Sequence, residues 1–144
     1  MIKDKIKELA AKYKDEFIEV RHHLHAHPEL SFNEFETSKF IQEKLSGWNI
    51  EYQVMATTGV IGIIKGKKNN DRIVALRADM DALPIKEMND GPYRSTNDGV
   101  MNACGHDVHT TLLLGALRII SEIKDGEEGT VKLIFQQGEE KNPE

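Results

Sequence analysis

The segment TTLLLGALRII (110–120) constrains this chain more than any other. Across 108–124, Leu112, Leu113, Leu114, Ala116, Leu117, Ile119, Ile120 and Ile123 put apolar side chains on most sides of a helix instead of along one stripe. A helix of that kind needs cover on more than one side, as it has when buried between layers. Its covering partners are visible on either side in sequence. VIGIIKG (60–66), RIVALRADMD (72–81) and TVKLIFQQ (130–137) are short, apolar and β-branched, and IEYQVMAT (50–57) alternates weakly, so all four read as strands. KKNND (67–71) reads as a turn, and the stretch from about 82 to 105, rich in Gly, Pro, Asn and Asp, as a loop.

The amino-terminal part is helical in pattern. Ile6, Leu9, Tyr13, Phe17, Val20 and Leu24 recur at steps of three and four, the stripe of one long amphipathic helix that starts at Ile2 and is ended by Pro28. SFNE (31–34) has the spacing of a capping box, with Ser31 and Glu34 opening a second helix to about Leu45 and Gly47 as its stop. Helices and strands interleave, which predicts a layered α/β architecture with part of the sheet parallel.

Chain totals narrow the function classes. With 144 residues, 39% of them hydrophobic, the chain is about one domain long and can bury a real core. The net charge is −5 and Lys and Arg are scattered, which argues against a nucleic-acid partner. The longest apolar runs, 57–64 and 110–120, fall short of the ~20 residues that span a bilayer. The lysine-rich start has no apolar signal-peptide core, so a cytoplasmic protein with no membrane partner is expected. A lone cysteine, Cys104, forms no intrachain disulfide; it is buried filler, a reactive thiol or a metal ligand.

In open α/β sheets ligands bind beyond the carboxyl ends of strands. Three polar clusters fall there: Asp79 and Asp81 after the strand at 72–78, Cys104 with His106 at the entrance of the apolar helix, and Glu139 with Glu140 after the last strand. Each has an ordinary structural explanation. The aspartates suit a turn before Pro84, the glutamates a solvated charge pair, Cys104 a small buried hydrophobe, Asp107 a helix cap and His109 a surface position. Together they have the materials of a divalent metal site. A Cys-x-His pair around Gly105 can turn both side chains to one cation, and thiolate plus imidazole favours zinc-like metals. Two adjacent carboxylates can divide the work, one binding metal and one accepting a proton from the attacking water. In RHHLHAHPEL (21–30), His22 with His25 and His23 with His27 share helix faces, but no carboxylate motif supports them, and the structural reading is preferred.

LHAHPELSFNEFETS, ALRADMDALPI, NACGHDVHTTLLLGA and LIFQQGEE, in that order and spacing, resemble the metal-dependent amidohydrolases that include hippurate hydrolase, N-acyl-L-amino-acid amidohydrolase and the auxin-conjugate hydrolases. These lie within the wider aminoacylase and carboxypeptidase group of zinc peptidases. The resemblance implies an α/β/α zinc-peptidase-like catalytic domain, of which residues 1–144 would be the amino-terminal part, with the rest of that domain and a lid or dimerisation domain absent. It implies hydrolysis of N-acyl amino acids at a centre of two divalent ions (Zn, Mn, Co or Ni) in a homodimer. It assigns metal binding to Cys104, His106 and Glu140, general-base catalysis to Glu139, and orientation of a metal-binding histidine to Asp81. Two positions depart from the pattern: Asp79 stands where the wider group has histidine, and Gln137 where proline is usual. A peptidase acting on dipeptides, and a metal-binding or interaction module without turnover, are the alternatives.

Overall fold

The computed structural model describes residues 1–141. Three helices, α1 (Ile2–Lys12), α2 (Lys14–Ala26) and α3 (Phe35–Gly47), precede three strands, β1 (Glu51–Met55), β2 (Gly59–Lys65) and β3 (Lys68–Asp79). Helix α4 (His106–Ile123), a short 3-10 turn and strand β4 (Glu128–Gln136) complete the order. The sheet runs β1-β2-β4-β3, with β3 and β4 parallel and the other pairs antiparallel. This is the layered α/β class the sequence predicts, parallel pair included.

Pairing sets which side chains meet the helices. Val60, Gly62 and Ile64 of β2 lie opposite Phe135, Leu133 and Val131 of β4 and share their face. A Cβ on Gly62 would stand 2.7 Å from Leu117 of α4 and 3.7 Å from Leu45 of α3, so both helices pack on that face. Leu114, Leu117, Leu133, Phe135, Ile41 and Leu45 are fully buried there. Among the described residues no second helical layer covers the opposite face. The apolar helix packs between the covered face and helices α1 and α2, and one side of it stays open, with Leu112 at 67% exposure.

Three local expectations change. The amino-terminal stripe belongs to two helices that meet at Tyr13, whose φ of −98° and ψ of 4° interrupt regular geometry. There the Tyr13 hydroxyl bonds the Glu122 carboxylate of α4, and its ring meets Phe17 edge-on. The stretch 67–71 is mostly strand: Lys68 pairs with Glu128, and the ladder shifts register before Ile73. The Ser31–Glu34 capping box does not form. Glu29 caps α3 instead, accepting the N–H of Thr37 at 2.6 Å and of Glu36 at 3.1 Å, and Ser31 and Glu34 turn inward. A carboxylate from outside the helix satisfies the free N–H groups as well as the box would, and it matches the positive end of the helix dipole.

Because β3 and β4 are parallel, their carboxyl ends lie side by side, with Met80 N–H donating to Gln136 O at 3.1 Å. The connection through 82–105 delivers the start of α4 to that same edge. Gly105 adopts φ 91°, a left-handed conformation that costs a glycine little, and α4 begins directly after it.

Candidate metal centre

His106, the first residue of α4, is 2% exposed. Its Nδ1 lies 2.9 Å from the Asp81 carbonyl oxygen and 3.2 Å from Asp81 Oδ1. Both are acceptors, so Nδ1 carries the proton and Nε2 keeps its lone pair for a cation. Nε2 faces the two glutamates that follow β4, 3.6 Å from Glu140 Oε1 and 3.7 Å from Glu139 Oε2. Donor atoms of Cys104, His106 and Glu140 lie within 4.8 Å of one another.

These donors fit a divalent cation. Glu140 Oε1 is buried and among the described residues meets no N–H or O–H donor, an arrangement that costs free energy unless a positive charge completes it. Cys104 is exposed, not the buried filler that a lone cysteine suggests, and its thiol is held above its ordinary pKa first by its hydrogen-bonding contact with the Glu140 carboxylate, then by local desolvation and the charges of Glu140, Glu139 and Asp79. A bound cation reverses that balance and favours thiolate.

Asp81, 1% exposed, organises the cluster from behind. Besides facing His106, its Oδ2 accepts the Ser31 hydroxyl at 2.7 Å and the Glu140 backbone N–H at 2.9 Å. One carboxylate thus fixes both the imidazole and the backbone that carries Glu140. Two further residues of this arrangement escaped sequence reasoning. Glu34, fully buried, accepts the Thr58 hydroxyl at 2.9 Å and the Gly138 N–H at 2.7 Å, which anchors the turn leading into Glu139. Ser31 and Glu34 were legible as a motif, but their spacing also matches a helix cap, and only the tertiary contacts distinguish the two roles.

Gly138 itself has φ 62°, and an added Cβ would lie 2.3 to 2.8 Å from three atoms of the Phe32 ring. Gly138→Ala is therefore expected to lower stability by about 1–3 kcal/mol, measured by denaturant unfolding; an unchanged midpoint would show that the turn relaxes freely.

The remaining candidates are placed as follows. Asp79 ion-pairs with Arg77, and with His106 and His109 forms a second group of converging donors. His109 is exposed, its ring centroid 5.5 Å from that of His106. Asp107 does not cap α4; it lies inside the first turn with its carboxylate on Arg21 and His25. His23 and His27 stack with centroids 4.4 Å apart, and among the described residues neither joins a group of metal-donor side chains, in keeping with their structural reading.

A thiol, an imidazole and a carboxylate converging beside a second carboxylate, at the carboxyl edge of an α/β sheet, have the donor set of a metallohydrolase centre. Residues 75–143 match the profile of peptidase family M20/M25/M40. The chain belongs to the M20 peptidase family. It is 45% identical over 144 residues to an N-acyl-L-amino acid amidohydrolase of Geobacillus stearothermophilus, covering 99% of this chain and 39% of that protein. It is 43% identical over 139 residues to thermostable carboxypeptidase 2 of Saccharolobus solfataricus, covering 95% and 35%. A crystal structure of a dinuclear metal binding peptidase from the M20 family of Bacillus subtilis superposes with a TM-score of 0.86 at 42% identity, over 90% of this chain and 37% of that one. The chain therefore spans under two fifths of the length of these relatives. Among the described residues no helix is long and apolar enough to cross a membrane.

Proposed function

We propose that the chain is the amino-terminal part of the catalytic domain of a metal-dependent amidohydrolase that cleaves the amide bond of N-acyl amino acids of the hippurate kind. The observation that carries this reading is the convergence of Cys104, His106 and Glu140 with Glu139 beside them. In it Cys104, His106 and Glu140 hold the cation, and Asp81 orients His106 through its Nδ1–H. The complete site takes two divalent ions of the zinc, manganese, cobalt or nickel type, in a cytoplasmic homodimer whose further ligands and closing domain come from the extra length of the relatives. When bound, the metal supplies Lewis acidity, polarising the amide carbonyl and acidifying the attacking water. Glu139, with its side chain 41% exposed against 19% for Glu140, is free to accept the water's proton and return it to the leaving amine.

The name of the carboxypeptidase relative favours a second substrate class, peptides with a free carboxyl end. Assaying an N-acyl amino acid beside a dipeptide, with and without chelator, separates the two. Chelator-sensitive turnover of the acyl amino acid in preference supports the first reading, and preference for the dipeptide overturns it. Residues 1–144 alone are expected to bind metal weakly and turn over little; robust hydrolysis by that stretch would overturn the division of the site proposed here.

A further inference from the structure

The geometry points to a positioning role for buried Asp107, His25 and Glu87 with half-buried Arg21 beside them: the series ties the loop that ends in Cys104 and the helix that begins with His106 to one imidazole on α2. This rests on the reading of Cys104 and His106 as metal ligands. The stretch 82–105 is long for a connection with no helix of its own, and such loops hold one shape only when docked on something. Its base is closed by reciprocal backbone hydrogen bonds of 3.0 Å between Leu83 and Met101. Its far side docks on the end of α2. Thr96 donates its N–H and hydroxyl to Ala26 O at 2.8 and 2.7 Å, and Asn102 Nδ2 donates to Leu24 O at 3.0 Å, which satisfies carbonyls that the end of a helix leaves free.

The charged contacts lie beside these. His25 Nδ1 is 2.7 Å from Asp107 Oδ2, and His25 Nε2 is 2.9 Å from Glu87 Oε1. Arg21 Nε reaches Asp107 Oδ2 at 3.1 Å, and Ser95 N–H donates to Glu87 Oε2 at 2.6 Å. His25, Glu87 and Asp107 are each 5% exposed or less. A ring with a carboxylate on each nitrogen is held in one orientation, because turning it breaks a hydrogen bond to each of two buried carboxylates. Asp107 is the residue after His106, and Glu87 lies in the loop that leads to Cys104. The separation of thiol and imidazole therefore depends on a side chain that touches neither. The histidine-rich segment is thus used, but as a fixed post for the centre.

The test is a cobalt(II) titration of a chain extending over the length of the relatives, in which thiolate-to-metal charge transfer in the near ultraviolet reports Cys104, together with hydrogen exchange across 95–104 in metal-free protein. Glu87→Ala is expected to weaken cobalt binding at least ~10-fold, diminish the thiolate band and speed exchange at least ~10-fold. Glu87→Gln keeps an oxygen acceptor for His25 but sets its amide NH2 against the Ser95 N–H, and is expected to fall between the alanine variant and wild type in both. If Glu87→Ala does not fold, His25→Gln, which reaches only one of the two carboxylates, is expected to move both readings in the same direction. Equal behaviour of the alanine variant and wild type, or an equal defect in the glutamine variant, would overturn the positioning role. A wild-type protein that binds cobalt without a thiolate band would instead overturn the ligand reading of Cys104, while the exchange comparison still decides the tie.

Discussion

Glu139→Gln, in a chain extending over the length of the relatives and loaded with metal, is expected to lose about 10²–10⁴-fold in turnover while keeping its metal. The two adjacent glutamates differ in surroundings, and the expectation follows from that difference. Glu140 has one oxygen buried without an N–H or O–H donor among the described residues, its backbone N–H held by Asp81, and its carboxylate within the group of donors that includes Cys104 and His106. Glu139 lies outside that group with its side chain 41% exposed, 3.7 Å from His106 Nε2, where it can exchange a proton with a water or a leaving amine. Glutamine preserves shape and hydrogen bonding but accepts no proton, so the chemical step fails and the site survives. Metal content by atomic emission and turnover on the same sample check it. Loss of metal with Glu139→Gln, and retention with Glu140→Gln, would mean that the two roles are exchanged.

The second large effect is expected at His106. Its Nε2 is the nitrogen left free by the Asp81 contact, and His106 belongs to both groups of converging donors, with Cys104 and Glu140 and with Asp79 and His109. His106→Ala should therefore lower divalent-metal affinity by more than about 100-fold, beyond the 10- to 100-fold typical when only an orienting partner is lost. Asp81→Ala provides that smaller reference value within the same protein. Competition with a chromophoric chelator measures both, and an alanine at 106 that binds as tightly as wild type would remove His106 from the centre.

Acid stability should carry the mark of Glu87. Burial pushes its carboxyl up, but hydrogen bonds from His25, Ser95 and Asn89 and the attraction of His25 outweigh this and leave it below the ordinary carboxylate value. A group with a lowered folded pKa stabilises fully above its unfolded value and loses that contribution as pH falls through the folded one. The melting temperature should thus drop more steeply between about pH 5 and about pH 3 in wild type than in Glu87→Gln. Parallel curves would show that Glu87 adds nothing to acid sensitivity.

Much of this molecule is legible in its sequence, for reasons that are local. Alternation and β-branching mark β2 and β4, a run of apolar residues marks α4, and Gly105 marks the turn before it, because backbone preference and periodicity act within a few residues. Motif spacing also pointed to Cys104, His106, Glu139, Glu140 and Asp81 as one group, and their side chains do gather at one sheet edge. Legibility ended where one sequence pattern serves two geometries. SFNE (31–34) suits a cap, yet Glu29 caps the helix, and Ser31 and Glu34 hold Asp81 and the Gly138 turn. The histidines of 21–30 resemble ligands by spacing, yet His25 is locked between Asp107 and Glu87, partners 82 and 62 residues away.

Sequence by itself determined most element types, the α/β class and the inventory of candidate metal-donor side chains, because these depend on residue chemistry and on short-range periodicity. Tertiary structure alone decided which oxygen of Asp81 meets which donor, that Glu29 and not the Ser31–Glu34 pair caps α3, and that a buried histidine anchors the loop before Cys104. Those outcomes depend on which distant groups share a low-dielectric interior, where an unpaired polar atom is costly and the chain settles on the arrangement that leaves fewest unpaired.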